Sequence, residues 1–383
     1  MVAIDSYAGG DGRLSPLSTP SATRAVLEAH GIGTKYTLGQ NFLVNDDVLK
    51  KIIALAEVGE NDRVLEVGPG IGTLTIALLK HAASVIAIER DPDLPAVLAD
   101  TLHPWREKFA LIEKDALDVT RDDIVSVAST MVEPGGDTGC PDRASSAANE
   151  TAQWAVSQSE DCLSESRYRV AVPQEELRPS LPSKLVANLP YAVAATVVLD
   201  YFENFPFLDS ATIMVQKEVA DRMAAAVGTK NYGAYTVKLG LYAEPVGRFA
   251  VGPGNFFPPP RVDSAVIRLN RRVPLMADGA PASPEVIAAA ALMADAAFTN
   301  RRKTIANSCK TYFSGRGPIL LGVADSSAAE GAPTIALPDG AATAERLPAI
   351  FEAAAIDPRR RGETLTQQEF LALGAALLRV TAA

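Results

Sequence analysis

Apolar and polar positions change their period several times along the chain, and each change marks an element. Ala22–His30 and Asp46–Ala56 carry apolar residues at helical spacing, the second with Asn45 placed to cap it. From Arg63 the pattern becomes strand, glycine turn, helix, strand. Val64–Val67 reads as a short buried strand, Thr73–Lys80 as an amphipathic helix, Ser84–Glu89 as a strand, Pro92–Leu102 as a helix and Phe109–Glu113 as a third strand. Strands alternating with helices at this spacing predict βαβ units on a parallel sheet. From about Ser126 to Ser180 no period is sustained, which predicts a largely disordered insertion. The alternation resumes with Lys184–Ala187 (strand), Ala194–Phe202 (helix), Ala211–Gln216 (strand) and Glu218–Val227 (helix). Val262–Leu269 then reads as a late strand of antiparallel type. Beyond Pro284 the chain reads as helical: Glu285–Phe298, Arg301–Phe313, a loose segment near Gly315–Ala342, and two final helices. The expected fold is α/β, a Rossmann-like domain over residues 21–272 followed by a smaller helical domain over 280–383, with a disordered extension at 1–20.

Composition narrows the function without naming it. There are 36 Lys+Arg against 46 Asp+Glu in 383 residues, a formal net charge of −10. That total argues against a nucleic-acid partner, unless the charge is unevenly placed. No run of 18 apolar residues occurs, so no membrane span is expected. The N-terminus lacks a signal-peptide pattern. The 3 cysteines (Cys140, Cys162, Cys309) and 3 histidines (His30, His81, His103) form no metal-binding spacing, so no metal is expected and the default location is cytoplasmic.

Chemistry first appears at Glu66-Val67-Gly68-Pro69-Gly70-Ile71-Gly72, between a strand and a helix. Glycines there permit a tight turn and close approach of a ligand to a helix N-terminus. Glu89 ends the next strand, where an acid can accept from ribose hydroxyls, and Asp115 follows the third strand, within reach of an adenine edge. A dinucleotide fingerprint requires glycine where Thr73 stands, so the motif suits S-adenosylmethionine (SAM) better. A glycine turn with no ligand is the plain alternative.

The second motif is Asn188-Leu189-Pro190-Tyr191, which follows a strand and so falls at the carboxyl edge of the sheet. An exocyclic adenine amine is a poor nucleophile because its lone pair is delocalised into the ring. The Asn188 carboxamide oxygen and the Leu189 carbonyl could accept its two N–H bonds while Tyr191 stacks on the base. A methyl group already activated as a sulfonium needs mainly positioning. Taken alone, N-x-P-Y reads more readily as a helix-capping turn, and the glycine turn upstream reverses that preference.

Together these blocks resemble the small-subunit ribosomal RNA adenine dimethyltransferases over most of the chain outside the two inserts. The matching blocks run in order: Leu38-Gly39-Gln40-Asn41-Phe42-Leu43, Glu66–Gly70, Ile88-Glu89, Asp115-Ala116, Asn188–Tyr191, Gln216–Val219, Phe256 with Pro258–Ala265, and Asn300–Thr304. The resemblance implies a SAM-dependent methyltransferase that dimethylates N6 of two adjacent adenosines in the 3′-terminal hairpin of 16S rRNA, a step of ribosome biogenesis. It implies that Asn41, Leu43, Gly68 and Gly70 line the methionine end of SAM. Glu89 would bind the ribose, Asp115 the adenine amine, and Asn188 the site of transfer. Phe256 would sandwich the flipped-out base opposite Tyr191. Phe257 and Ala192 depart from the residues usual in the family.

The resemblance also directs attention to charge placement. Arg301-Arg302-Lys303 reads as opening a helix and, with Arg261, Arg268, Arg271, Arg272 and Lys310, forms a basic set suited to rRNA phosphates. Arg359-Arg360-Arg361 could extend it. A solvated charged face is the bland alternative. Residues 126–180 carry net −5 and 314–350 net −2, which leaves −3 for the rest of the chain. The acidity therefore sits mainly in the inserts. The expected partner is 16S rRNA within the small ribosomal subunit, met by a monomer. Alternatives are a large-subunit methyltransferase of the macrolide-resistance type, a noncatalytic assembly factor and an NAD-dependent oxidoreductase.

Overall fold

The computed structural model describes residues 12–33, 40–131, 180–322 and 334–382. The chain divides into two compact units, one of residues 1–190 and 253–261, the other of 191–252 and 262–383. Most of the extension, most of the Ser126–Ser180 insertion, Leu38-Gly39, Cys140 and Cys162 lie outside the described residues.

The first unit is built on four parallel strands, β1 (Arg63–Val67), β2 (Ser84–Ile88), β3 (Phe109–Ile112) and β4 (Lys184–Asn188), in the spatial order β3-β2-β1-β4. Val64, Leu65, Val85, Ala87, Val186 and Ala187 are all 2% exposed or less, as expected of parallel strands covered on both faces. Among the described residues five helices accompany them: α1 (Pro20–Ala29), α2 (Asp46–Ala56), α3 (Thr73–Leu79), α4 (Leu94–Thr101) and α5 (Arg121–Thr130). Asn45 caps α2 as expected, its side chain accepting from the Asp47 and Val48 N–H groups. A cap of this kind contributes about 1 kcal/mol. Helix α5 continues to Thr130, so the aperiodic stretch begins later than Ser126. A capping box formed by Thr120 and Asp123 fixes its start.

Residues 12–20 correct the expectation of disorder. Ser15 and Leu17 are fully buried, and Asp46 Oδ1 accepts from the Leu14 and Ser15 N–H groups at 2.8 and 3.2 Å. Asp46 is thus pinned by donors more than 30 positions upstream, and its carboxyl lies below the usual range. Burial opposes that shift, but Lys50 and the Ser15 and Leu14 amides outweigh it.

The second unit opens with α6 (Ala194–Asn204), β5 (Ser210–Gln216), α7 (Lys217–Met223), α8 (Ala234–Gly240), β6 (Ala243–Val251) and β7 (Ser264–Arg271). Strand β7 pairs antiparallel with both β5 and β6, which confirms its expected direction. α8 and β6 were not predicted. β6 has five exposed residues among nine, so no apolar alternation reveals it. Then follow α9 (Pro284–Phe298), α10 (Ile305–Ser314), an antiparallel pair β8 (Pro318–Gly322) with β9 (Thr334–Asp339), α11 (Gly340–Ala353) and α12 (Gln367–Ala382). The strand pair replaces the loose segment expected at 315–342, although 323–333 lie outside the described residues. Helix α10 starts at Ile305, capped by Thr304, so Arg301–Lys303 form the turn before it rather than its first residues. Met293, Ile305, Cys309, Phe313, Ile350 and Phe370 are among the buried residues of this unit's core.

Candidate functional site

The glycine turn is the pivot of the first unit. Gly68 donates to the Ile88 carbonyl at 2.9 Å, which ties the turn to β2. Gly68 and Gly70 have φ of 70° and 61°, the left-handed region that favours glycine. A Cβ on Gly70 would also lie 3.1 Å from the Phe42 ring, and one on Gly68 would face Pro190 Cδ at 3.7 Å and the Asn188 carbonyl at 3.8 Å. The expected neighbourhood of the glycine turn and the Asn188 tetrapeptide is therefore observed.

Asn188 ends β4, and its Nδ2 donates to the Asn41 carbonyl at 3.1 Å. That bond orients the carboxamide and leaves Oδ1 uncommitted among the described residues. Leu43 and Leu189 are 3% and 1% exposed, so their side chains are packed away from solvent. Glu89 follows β2 and is 9% exposed; its Oε1 accepts from the Arg90 and Asp91 N–H groups, both at 2.9 Å. Burial pushes its carboxyl up, and the Asp91, Arg90 and Gly70 amides pull it partly back. Asp115 is more open. Its carboxyl is held below the usual range by the Leu117 N–H and by Arg90, whose guanidinium lies 2.7 Å away.

Glu66 is the most constrained acid. Burial pushes it up to about 8, and nearby Glu89 adds to the rise. Thr75 offsets part of it, although no bond of normal geometry joins them: Glu66 Oε2 and the Thr73 and Thr75 hydroxyls are buried without hydrogen-bond partners among the described residues.

Tyr191, in the second unit, shares a hydrogen bond of 2.5 Å with Ser264 Oγ. Burial raises its hydroxyl and the Ser264 bond lowers it. Ser264 was missed as a partner because 73 residues separate the two and no spacing links them. Gln40 and Arg90 were missed in the same way; Gln40 Nε2 holds the buried Asp91 at 2.7 Å.

Phe256 is placed differently from the implied open stacking face. It is 4% exposed and pairs with Leu43, while Phe42 pairs with Phe257, in a two-residue antiparallel ladder. Strand alternation turns Phe256 inward and leaves Phe257 half-exposed beneath the Arg24 guanidinium, 5.2 Å from the ring centre.

The basic set divides. Arg271 is structural: its guanidinium donates to the carbonyls of Leu208, Phe202 and Phe205 and covers the Phe202 ring. Arg272 donates to Gln367 at 3.1 Å, Arg268 to Asn270 at 3.0 Å, Arg359 pairs with Asp357 and Arg360 with Glu369. Arg301 is engaged by Glu363 at 3.0 Å. Arg261, Arg302 and Lys303 are exposed and unpaired among the described residues. Among those residues, no group of three or more metal-ligating side chains occurs and no helix is long and apolar enough to cross a membrane.

This geometry fits SAM. The turn is cleared by two glycines, with an orphaned carboxyl oxygen behind it and Glu89 and Asp115 at successive strand ends. Comparison with known proteins points the same way. Ribosomal RNA small subunit methyltransferase A from Geobacillus sp. (strain WCH70) is 33% identical over 364 residues, 95% of this chain and 98% of its own. The protein of the same name from Staphylococcus epidermidis (strain ATCC 12228) is 32% identical over 358 residues, 93% of this chain and 94% of its own. A solved dimethyladenosine transferase from Plasmodium falciparum shares the fold, with a TM-score of 0.53 at 20% identity over 87% of this chain and 95% of that one. The family model for ribosomal RNA adenine dimethylase matches residues 33–332, and the chain belongs to that family.

Proposed function

We propose that the protein transfers methyl groups from SAM to N6 of two adjacent adenosines in the 3′-terminal hairpin of 16S rRNA, acting as a monomer on the small ribosomal subunit in the cytoplasm. The observation that carries this reading is the Asn188 carboxamide, oriented by the Asn41 carbonyl at 3.1 Å with Oδ1 left to accept. Two units of work are proposed: a SAM-binding catalytic domain over residues 21–272 and a helical rRNA-binding domain over 280–383.

SAM, when bound, supplies an electrophilic methyl group. Asn41, Leu43, Gly68 and Gly70 would line its methionine end, Glu89 would accept from the ribose hydroxyls, and Asp115 from the adenine amine. Asn188 Oδ1 and the Leu189 carbonyl would accept the two N–H bonds of the target amine. Pulling on both hydrogens frees the nitrogen lone pair from the ring and aims it at the methyl carbon. Pro190 fixes its own φ and so limits the freedom of the segment that carries both acceptors. Tyr191 would stack on the extruded base, its hydroxyl tethered by Ser264. Stacking by Phe256 as well requires its ladder with Leu43 to shift on RNA binding, because the ring is closed in here. Arg261, Arg302 and Lys303 have the exposure needed for phosphates, and Arg301 braces their turn.

The test supplies labelled SAM and small subunits lacking the modification, and compares wild type with Asn188→Ala. Label on rRNA adenine from the wild type alone is expected. No label on adenine, or equal labelling by both proteins, overturns the proposal.

A further inference from the structure

The second unit holds a cleft of about 380 Å³ bounded by the loop after α7, the Arg272–Pro274 linker and the first turn of α12. Sites that take small ligands span about 300–1,000 Å³. Ala225, Val227, Pro274 and Leu371 give apolar lining, while Arg272 and Gln368 add polar groups. One guanidinium nitrogen of Arg272 is spent on Gln367 Oε1 at 3.1 Å. The Gln367 amide packs directly on Gly240, in the space a Cβ there would occupy. The remaining Arg272 donors and the exposed Gln368 amide are therefore the groups left for a ligand. Apolar walls with a few fixed donors suit an unstacked nucleobase.

Charge adjoins the cleft. Arg301 donates to the Thr229 carbonyl at 3.0 Å, and the Gly228 N–H donates to the Glu363 carbonyl at 2.8 Å. Tyr232, also lining the cleft, donates its hydroxyl to the Leu365 carbonyl at 2.8 Å. The first bond fastens the cleft's loop to the Arg301–Lys303 turn and the other two fasten it to residues 363–365; in that turn Arg302 and Lys303 are exposed and unpaired among the described residues. Val227 and Val273 are 43% and 63% exposed, so the rim is apolar as well. An apolar cleft beside a basic turn is complementary to a single-stranded nucleotide, with the base in the cleft and phosphates at the turn.

We propose that this cleft takes one unpaired nucleotide of the rRNA substrate, separate from the adenosine that is methylated. Guanine is favoured, because its O6 and N7 acceptors match guanidinium donors. The proposal rests on the rRNA methyltransferase reading above.

Its test uses the full chain and guanosine 5′-monophosphate (GMP) as probe, followed by saturation-transfer NMR with the cytidine nucleotide for comparison. Two exposed positions are altered: Ala226→Trp to fill the cleft and Gln368→Glu to add negative charge. Both are expected to weaken GMP binding about tenfold and to raise KM for small subunits about tenfold. SAM affinity and melting temperature serve as controls. GMP binding untouched by either variant overturns the cleft as a nucleotide site. Weakened GMP binding with unchanged KM overturns its assignment to rRNA. A wild-type protein that does not methylate small subunits instead removes the functional reading beneath the proposal, while the GMP arm still judges the cleft.

Discussion

Two regions bury polar groups and treat them in opposite ways. Around the glycine turn, Glu66 Oε2, Thr73 Oγ1 and Thr75 Oγ1 are buried and left without partners among the described residues. Around Arg271, three main-chain carbonyls take the guanidinium's N–H groups and an aromatic ring covers its face. Leaving a buried polar atom unpaired costs about 1–3 kcal/mol, more when charged. Thr212 Oγ1 and Tyr235 Oη in the second unit are unpaired as well among the described residues, so what sets the glycine turn apart is that its unpaired atoms adjoin the residues assigned to SAM.

The sharpest way to break this contrast is to empty the satisfied region. Arg271→Ala removes the donor to the Phe202, Phe205 and Leu208 carbonyls, of which Phe205 keeps the Leu208 N–H, and is expected to lower stability by about 2–4 kcal/mol, read by chemical denaturation, with SAM affinity of the folded protein unchanged. A loss confined to SAM binding would reverse the assignment. Asn188→Ala acts on the other region and is expected to lower kcat about 100-fold or more, as removal of one positioned group does elsewhere, with little change in stability.

Glu66→Gln sharpens the contrast through pH. The folded carboxyl, pushed up to about 8 from an ordinary 4.5, favours its neutral form. Its contribution to stability is whole below about 4.5 and is lost as pH rises through 8. The Gln variant has no such proton to lose. Without SAM, its melting temperature is expected to exceed that of the wild type by a margin that grows from pH 5 to pH 8. Parallel curves would show that Glu66 is already satisfied.

The smallest expected effect is on the surface. Arg302→Ala with Lys303→Ala is expected to leave stability within about 0.5 kcal/mol. The slope of log affinity for rRNA against log salt is expected to fall by about one for each charge removed, measured by titration at several salt concentrations.

Much of the first region was legible because its chemistry is contiguous. Glu66–Gly72 and Asn188–Tyr191 each hold their functional atoms within a few residues, and the parallel strands announce themselves as short, mostly apolar runs. What escaped depended on long-range pairing. Residues 14–18 look like a disordered tail until Asp46 captures their amides. Arg271 looks like a phosphate ligand until the carbonyls of residues 202–208 surround it. Phe256, by its residues alone a core aromatic beside a proline turn, is a stacking platform only through the resemblance, and its register against Leu43 turns it inward. β8 and β9 were hidden for a different reason: their strands are short and separated by Gly-, Ser- and Ala-rich sequence that carries no period.

The buried Cys309 gives the helical half a chemical clock. Its side chain is fully enclosed, and burial pushes the thiol up to about 12. Alkylation requires the thiolate in contact with reagent, so the packed state is inert and modification waits for α10 to separate from its neighbours. With Cys140 and Cys162 replaced by serine, the labelling rate divided by that of an exposed thiol gives the free energy of that opening. It reads the breathing of one helix layer in the intact chain, without denaturant.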